Sequence, residues 1–213
     1  MERYYPVFLR VQDRLCVVVG GGNVAERKVK SLLQDGASIR VISPQVTDTL
    51  QHLAKNNSIE FVQRPFQCGD LADAFLAYAA TNSKQVNEQV YEDAKRYSVL
   101  VNMIDAPELC DFIVPSRVDR GRLQIAISTS GASPALTKHL RQELESYFGD
   151  EYDIFLDWMQ QLRSWLLHNE PLEQRRRELF RQVIEMPVLQ LLREKKIEEA
   201  KHIIHELIQQ EIL

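Results

Sequence analysis

Apolar positions along this chain follow two successive rhythms, and the change from one to the other sets the expected architecture. The run Leu15–Val19 (LCVVV) is short, β-branched and without polar alternation, the pattern of a strand covered on both faces. Behind it Val24, Ala25, Val29, Leu32 and Leu33 recur at helical spacing, and Gly36 is placed to end the helix. Ser38–Ile42 (SIRVI) reads as a second strand stopped by Ser43 and Pro44. Strand, glycine turn, helix and strand in close succession make a βαβ unit. The alternation continues through a helix near Val46–Ala54, a strand at Ile59–Val62, an apolar run Ala74–Ala80, a polar helix Lys84–Tyr97 and a buried strand Val99–Ile104. Strands separated by helices of this length predict an α/β fold, a doubly wound parallel sheet of the Rossmann type.

From Phe112 the pattern changes. FIVPSRV and LQIAIST read as two strands joined by a turn at Asp119–Arg122, and Ser133 with Pro134 caps and opens a helix running through Leu144. Beyond Gly149 the chain reads as helical. Ile154, Trp158, Leu162, Trp165 and Leu166 are assigned to one face, Pro187 interrupts, and Leu192, Ala200, Ile203, Ile204, Leu207 and Ile208 belong to the last helices. The expected division is a Rossmann-type domain over 1–113, a small mixed α/β segment over 114–147 and a helical C-terminal domain over 148–213.

Charge narrows the functions open to such a chain. With 26 Lys+Arg against 30 Asp+Glu the net charge is −4, which argues against a nucleic-acid partner held by bulk positive charge. Cys16, Cys68 and Cys110 are odd in number and far apart, matching neither a disulfide framework nor a zinc ribbon and pointing to a reducing compartment. The amino terminus lacks the apolar core of a signal peptide, and no stretch nears the ~18 apolar residues of a membrane span. A cytoplasmic protein with no membrane partner is expected.

Glycine matters through its placement, since three of the 8 glycines are Gly20, Gly21 and Gly22. With Asn23, Val24 and Ala25 they fit G-x-G-x-x-A directly after a buried strand and at the opening of a helix. Gly20 allows the tight turn, Gly22 lets a pyrophosphate approach the backbone, and Ala25 permits close helix–sheet packing. The acidic residue that accepts ribose hydroxyls about twenty positions on is missing; the second strand ends in Ser43, Pro44 and Gln45, and Ser43 with its backbone stands in that place. Spacing alone leaves NAD and NADP open. Thr81 and Asp105 follow later strands and so belong at the ligand-binding edge of a parallel sheet, although Asp105 also suits a helix cap or Asx-turn before Pro107.

Residues 115–141 hold Arg117, Arg120, Arg122, Lys138 and Arg141 against Asp119 alone, a local balance of +4. The same stretch carries the hydroxyl-rich turn Ser128–Pro134, which suits either an anion or a plain capped helix. His202 and His205 lack a third ligand, so no metal site is expected, and His139 carries only weak weight. Trp158 and Trp165 read as core or dimer contacts, and Arg175–Arg177 with Arg181 as a solvated face.

Several separated pieces, VVVGGGNVAERKVKSLLQDGA, AATN with Asn87, and VNMIDAPELCDFIVPSRVDRGRLQIAISTSGASPALTKHLRQELE, resemble the precorrin-2 dehydrogenase part of siroheme synthases over residues 3–147 closely and the helical remainder loosely. The resemblance implies NAD-dependent oxidation of precorrin-2 to sirohydrochlorin, a tetrapyrrole substrate whose carboxylates suit the basic stretch, and a homodimer built by the middle segment. It implies cofactor contacts at Asn23, Val24, Pro44 and Gln45 and an essential carboxylate at Asp105. Ser128, Arg117 and Lys138 become the substrate-binding candidates; Thr129 stands where the family often has a second serine, so no role is carried onto it. The sequence ends where a fused member would enter a uroporphyrinogen methyltransferase domain, so that activity is not expected. A dehydrogenase that also inserts ferrous iron is the alternative, and a noncatalytic NAD-responsive binding protein a more distant one.

Overall fold

The computed structural model of the protein describes residues 4–212. Five strands, β1 (Leu15–Val19), β2 (Ser38–Ile42), β3 (Glu60–Val62), β4 (Leu76–Ala79) and β5 (Leu100–Met103), form a parallel sheet in the order β3-β2-β1-β4-β5. The chain builds outward from β1 to β2 and β3, then crosses back to add β4 and β5 on the other side. Strand order therefore reverses beside β1, and a crevice opens at the carboxyl ends of β1 and β4.

The unbroken apolar character of β1 follows from its position at the centre of that sheet. Cys16 and Val18 pack on one face with Ala25, Val29 and Leu32 of α1 (Asn23–Gln34) and Leu50 of α2 (Asp48–Lys55). Val17 and Val19 pack on the other with Val90 and Ala94 of α3 (Lys84–Tyr97). Each of the valine and leucine side chains among these contributes about 1.5–3 kcal/mol when fully buried. α1 closes in a Schellman turn: Ala37 N–H donates to Leu32 O and Gly36 N–H to Leu33 O, both at 3.0 Å, with Gly36 at φ +77°.

The crossover from β3 to β4 contains no helix. Residues 63–75 form a series of turns that insert Phe66 and Leu71 into the core on the α3 side. The apolar run Ala74–Ala80 therefore shortens to a strand of four residues, because Ala74 N–H closes a turn onto Leu71 O at 3.0 Å.

The chain divides into two compact units after Val114, and the stretches 115–147 and 148–213 fall together in the second. There β6 (Ser116–Arg120) and β7 (Leu123–Ile127) make an antiparallel hairpin; Phe112–Pro115 precede the first strand instead of belonging to it. The turn is Gly121–Arg122, with Gly121 at φ +56°, and a Cβ there would lie 1.6 Å from Asp153 Oδ1. A two-stranded ribbon is marginal alone, and this one is backed by α4 (Pro134–Tyr147) and α5 (Glu151–Asn169).

α5 packs with α6 (Glu173–Glu185), α7 (Val188–Arg193) and α8 (Ile197–Ile212) around Leu162, Leu166, Leu179, Val183 and Val188. Of the residues assigned to one face of α5, Trp158, Leu162 and Trp165 line one groove, and Leu162 and Leu166 reach the core. Phe155 is buried in place of Ile154, Trp158 is partly buried, and Ile154 and Trp165 are 38% and 40% exposed. Apolar residues occur on adjoining faces of this helix, so its spacing admits both rotations.

Candidate functional site

A cleft of about 410 Å³ lies at the carboxyl ends of β1, β2 and β4. Its floor is the Gly20–Gly22 turn; Ser43, Pro44 and Gln45 follow β2 on one side, Thr81, Asn82 and Ser83 follow β4 on the other, and Pro65 with Phe66 close it further. Its lining carries no charged side chain among the described residues.

The three glycines are there for three different reasons. Gly20 has φ +122° and its N–H donates to Ile42 O at 2.9 Å, while a Cβ would fall 2.2 Å from Ala80 O. Gly21 lies beneath the segment following β2: a Cβ would stand 1.9 Å from Gln45 O, and Gly21 O accepts from Thr47 N–H at 3.0 Å. Around Gly22 a Cβ would meet nothing within 4 Å. Gly22 is the N-cap of α1 with φ −83°, an extended conformation open to any residue, and it supplies no side-chain cap.

The first-turn amides of α1, on Asn23, Val24 and Ala25, thus face outward without intrahelical acceptors, at the positive end of the helix dipole. That is the arrangement of an anion site. The one acid of this turn, Glu26, is turned away: it accepts from Thr47 Oγ1 at 2.7 Å and pairs with Lys30 at 2.6 Å, and these bonds hold its carboxyl below the ordinary value. A bare helix start, an open approach over Gly22 and neutral walls fit a dinucleotide diphosphate.

The hydroxyls of the cleft are pre-set by local bonds. Thr81 Oγ1 donates to Asn87 Oδ1 at 2.8 Å, and Asn87 Nδ2 donates to Thr81 O at 3.1 Å, so α3 fixes the Thr81 rotamer. Ser43, buried at the end of β2, donates its proton to Gln45 O at 2.7 Å and retains only acceptor capacity. Arg40 is committed elsewhere, to Glu60 at 2.8 Å and Asp73 at 3.0 Å.

Asp105 follows β5 at the same carboxyl edge but does not line this cleft. It is exposed and makes no side-chain bond among the described residues. The 3₁₀ turn Pro107–Leu109 is instead preceded by Ala106 without a side-chain cap, so Asp105 serves neither as cap nor as Asx-turn. Its loop is stapled at the base. Cys110 Sγ accepts from Met103 N–H at 3.1 Å and lies 3.2 Å from Met103 O, Asn102 Nδ2 donates to Phe112 O at 2.9 Å, and Val101 N–H donates to Asp111 Oδ2 at 3.0 Å. Burial pushes the Cys110 thiol up, keeping it protonated.

In the second unit Ser128 is exposed just after β7, where its Oγ accepts from Ser130 N–H at 3.0 Å; Arg117 lies on β6 and Lys138 is exposed on α4. The local excess of positive charge is largely matched by acids. Arg117 pairs with Asp119 at 2.7 Å and Arg122 with Asp157 at 2.8 Å; Arg120 lies 3.6 Å from Asp150, and Arg141 pairs with Glu145. Three of these acids lie beyond Arg141 in sequence, outside the stretch whose balance is +4. His202 and His205 face Glu206 and Gln209 respectively.

Comparison with known proteins gives this geometry its relatives. Residues 7–116 match a family described as "Putative NAD(P)-binding", and residues 120–147 match "Sirohaem biosynthesis protein central". A solved structure of SirC, precorrin-2 dehydrogenase, superposes with a TM-score of 0.79 at 30% identity, covering 95% of this chain and 100% of that one. The chain belongs to the precorrin-2 dehydrogenase family. Siroheme synthase of Nitrosospira multiformis is 37% identical over 202 residues, 93% of this chain and 43% of its own length. That of Nitrosococcus oceani is 43% identical over 150 residues, 70% and 32% respectively. The chain thus spans less than half of the siroheme synthases it matches.

For a member of the precorrin-2 dehydrogenase family, motif reading finds the glycine turn, the end of β2 and Thr81, all of which the fold brings into one cleft. It misses Pro65, Phe66 and Val86. Pro65 and Phe66 lie in the irregular crossover, where no periodicity marks them; only the isolated Pro-Phe pair beside Arg64 could have drawn attention.

Proposed function

We propose that this protein is an NAD-dependent precorrin-2 dehydrogenase, yielding sirohydrochlorin. The observation that carries the reading is the uncharged, glycine-floored cleft at the bare N-terminus of α1. With no cation on its walls and Arg40 held by two carboxylates, the cleft offers nothing to a 2′-phosphate, which supports NAD over NADP.

NAD bound there supplies the hydride acceptor. The amides of Asn23 and Val24 would hold its diphosphate, Gly20 would let the turn come close, and Ser43, Pro44 and Gln45 would border the adenosine half, with Thr81 toward the other half. Oxidation removes a hydride and a proton from the macrocycle. Asp105, a carboxylate with no partner among the described residues and on a stapled loop, is the general base that takes the proton, an effect of typically 10²–10⁴-fold. Ser128, Arg117 and Lys138 bind the carboxylates of the tetrapyrrole. Exposed ion pairs such as Arg117–Asp119 are worth only about 0–1 kcal/mol, so a polyanionic substrate exchanges into them at little cost. The hairpin and α4 build a homodimer, and the protein works in the cytoplasm.

Anaerobic incubation of the protein with precorrin-2 and NAD tests the reading, by following NADH absorbance together with the sirohydrochlorin spectrum. No NADH above a protein-free control overturns it.

A further inference from the structure

The crossover between β3 and β4 replaces a helix with turns, yet two of its residues, Pro65 and Phe66, form one wall of the cleft. A segment with little regular backbone bonding opens readily unless tertiary bonds hold it. Here the holding group comes from α3. Asp93, 1% exposed, places Oδ1 and Oδ2 at 2.9 and 3.0 Å from Gly69 N, and Oδ2 at 3.3 Å from Leu71 N. Both donors are backbone amides of the crossover, and Gly69 takes φ +99° there.

The energetics make this a clamp. Asp93 sits among buried Val90 and Ala94 on its own helix. Shielded from water in the closed arrangement, its carboxylate bonds both crossover amides with charge assistance, and such bonds are roughly twice as strong as those between neutral groups. Two further bonds reinforce the segment: Arg64 and Asp70 join through two contacts of 2.7 Å, and Asp70 Oδ2 accepts from Gln67 N–H at 2.8 Å. Phe66 itself is buried at 7% exposure and so follows any movement of Gly69 and Leu71.

We infer that Asp93 is a positioning residue of the cofactor cleft: through Gly69 and Leu71 it fixes Pro65 and Phe66 as the apolar wall against which the adenosine half of a dinucleotide packs. This rests on the dinucleotide reading of the cleft. The segment follows β3, the strand paired with β2, and a dinucleotide's ribose lies beyond the end of β2 in this topology. Asp93 touches neither cofactor nor substrate.

The test compares the full-length wild type, Asp93→Asn and Leu76→Ala, the last removing a buried side chain at the opposite end of β4. NADH affinity is measured by the cofactor's own fluorescence, and amide protection at residues 67–71 by hydrogen exchange. Asp93→Asn is expected to lose protection at Gly69 and Leu71 and to raise the NADH Kd about ten-fold, with Leu76→Ala at wild-type Kd. Lost protection with an unchanged Kd overturns the inference, as does an equal rise in Kd for Leu76→Ala. If Asp93→Asn does not fold, Asp93→Ser, which removes the carboxylate without adding bulk, is judged by the same two readings. Failure of the wild-type chain to bind NADH overturns the reading of the cleft itself, an outcome distinct from either.

Discussion

Alanine substitutions at the adjacent positions 21 and 22 separate binding from folding in the glycine turn. At Gly22 the backbone is extended and a methyl meets no protein atom within 4 Å. Alanine is a poorer N-cap than glycine but restricts the unfolded chain, two opposed effects of a few tenths to about 1 kcal/mol. Gly22→Ala therefore leaves stability close to wild type while putting a methyl into the approach to the α1 amides. Displacing a diphosphate from bonding distance is expected to raise the NADH Kd at least ten-fold, about 1.4 kcal/mol. At Gly21 the methyl would stand 1.9 Å from Gln45 O and 2.9 Å from Ser43 Oγ, so the segment after β2 must shift by more than an ångström. Overpacking of this kind costs about 1–3 kcal/mol, and at roughly 2–4 °C per kcal/mol for a chain of this size Gly21→Ala lowers Tm by several degrees. Circular-dichroism melts and NADH fluorescence titrations of both variants decide the matter. Wild-type NADH affinity in Gly22→Ala, or unaltered stability in Gly21→Ala, refutes the reasoning.

Other predictions follow from single contacts. Asp105→Ala is expected to reduce turnover of precorrin-2 by 10²-fold or more at unchanged NADH affinity, since the carboxylate lies outside the cofactor cleft; full turnover removes Asp105 as the base. The Arg64 guanidinium holds the Asp70 carboxyl below its ordinary value, so this pair stabilises the fold above the usual aspartate range, and that stability is lost as pH falls through the depressed value; Asp70→Asn should flatten the acid limb of a Tm-against-pH curve. Burial pushes the Cys16 thiol up to about 11, so alkylation at pH 8 should modify exposed Cys68 first, Cys110 slowly and Cys16 only after unfolding, an order readable by mass spectrometry. Leu166→Ala, at a wholly buried position of α5, should cost about 2–5 kcal/mol and expose the helical unit to limited proteolysis.

The β1–α1–β2 unit was legible because three signals agree there: an unbroken apolar strand, glycines at its end, and helical spacing closed by Gly36. Thr81 followed from topology, since ligands lie beyond the carboxyl ends of parallel strands, whereas Pro44 and Gln45 came from the family resemblance. The crossover was not legible, because Phe66 and Leu71 are anchored singly, and Asp93 reads as one more polar residue on a polar helix until Gly69 is placed against it. On α5 the spacing grouped Trp158, Leu162 and Trp165 but did not mark Phe155, which is buried beside exposed Ile154. The pairing of residues 115–141 was not legible either, because Glu145, Asp150 and Asp157 lie just past the stretch and return to it in space.

The placement of aromatic residues has an optical consequence. The chain's two tryptophans, Trp158 and Trp165, are both on α5, and the sheet unit has none. Intrinsic tryptophan emission therefore reports the second unit alone, while NADH bound in the proposed cleft would emit from the sheet unit. One melting experiment read in both channels shows whether the two halves of this chain unfold together or in sequence.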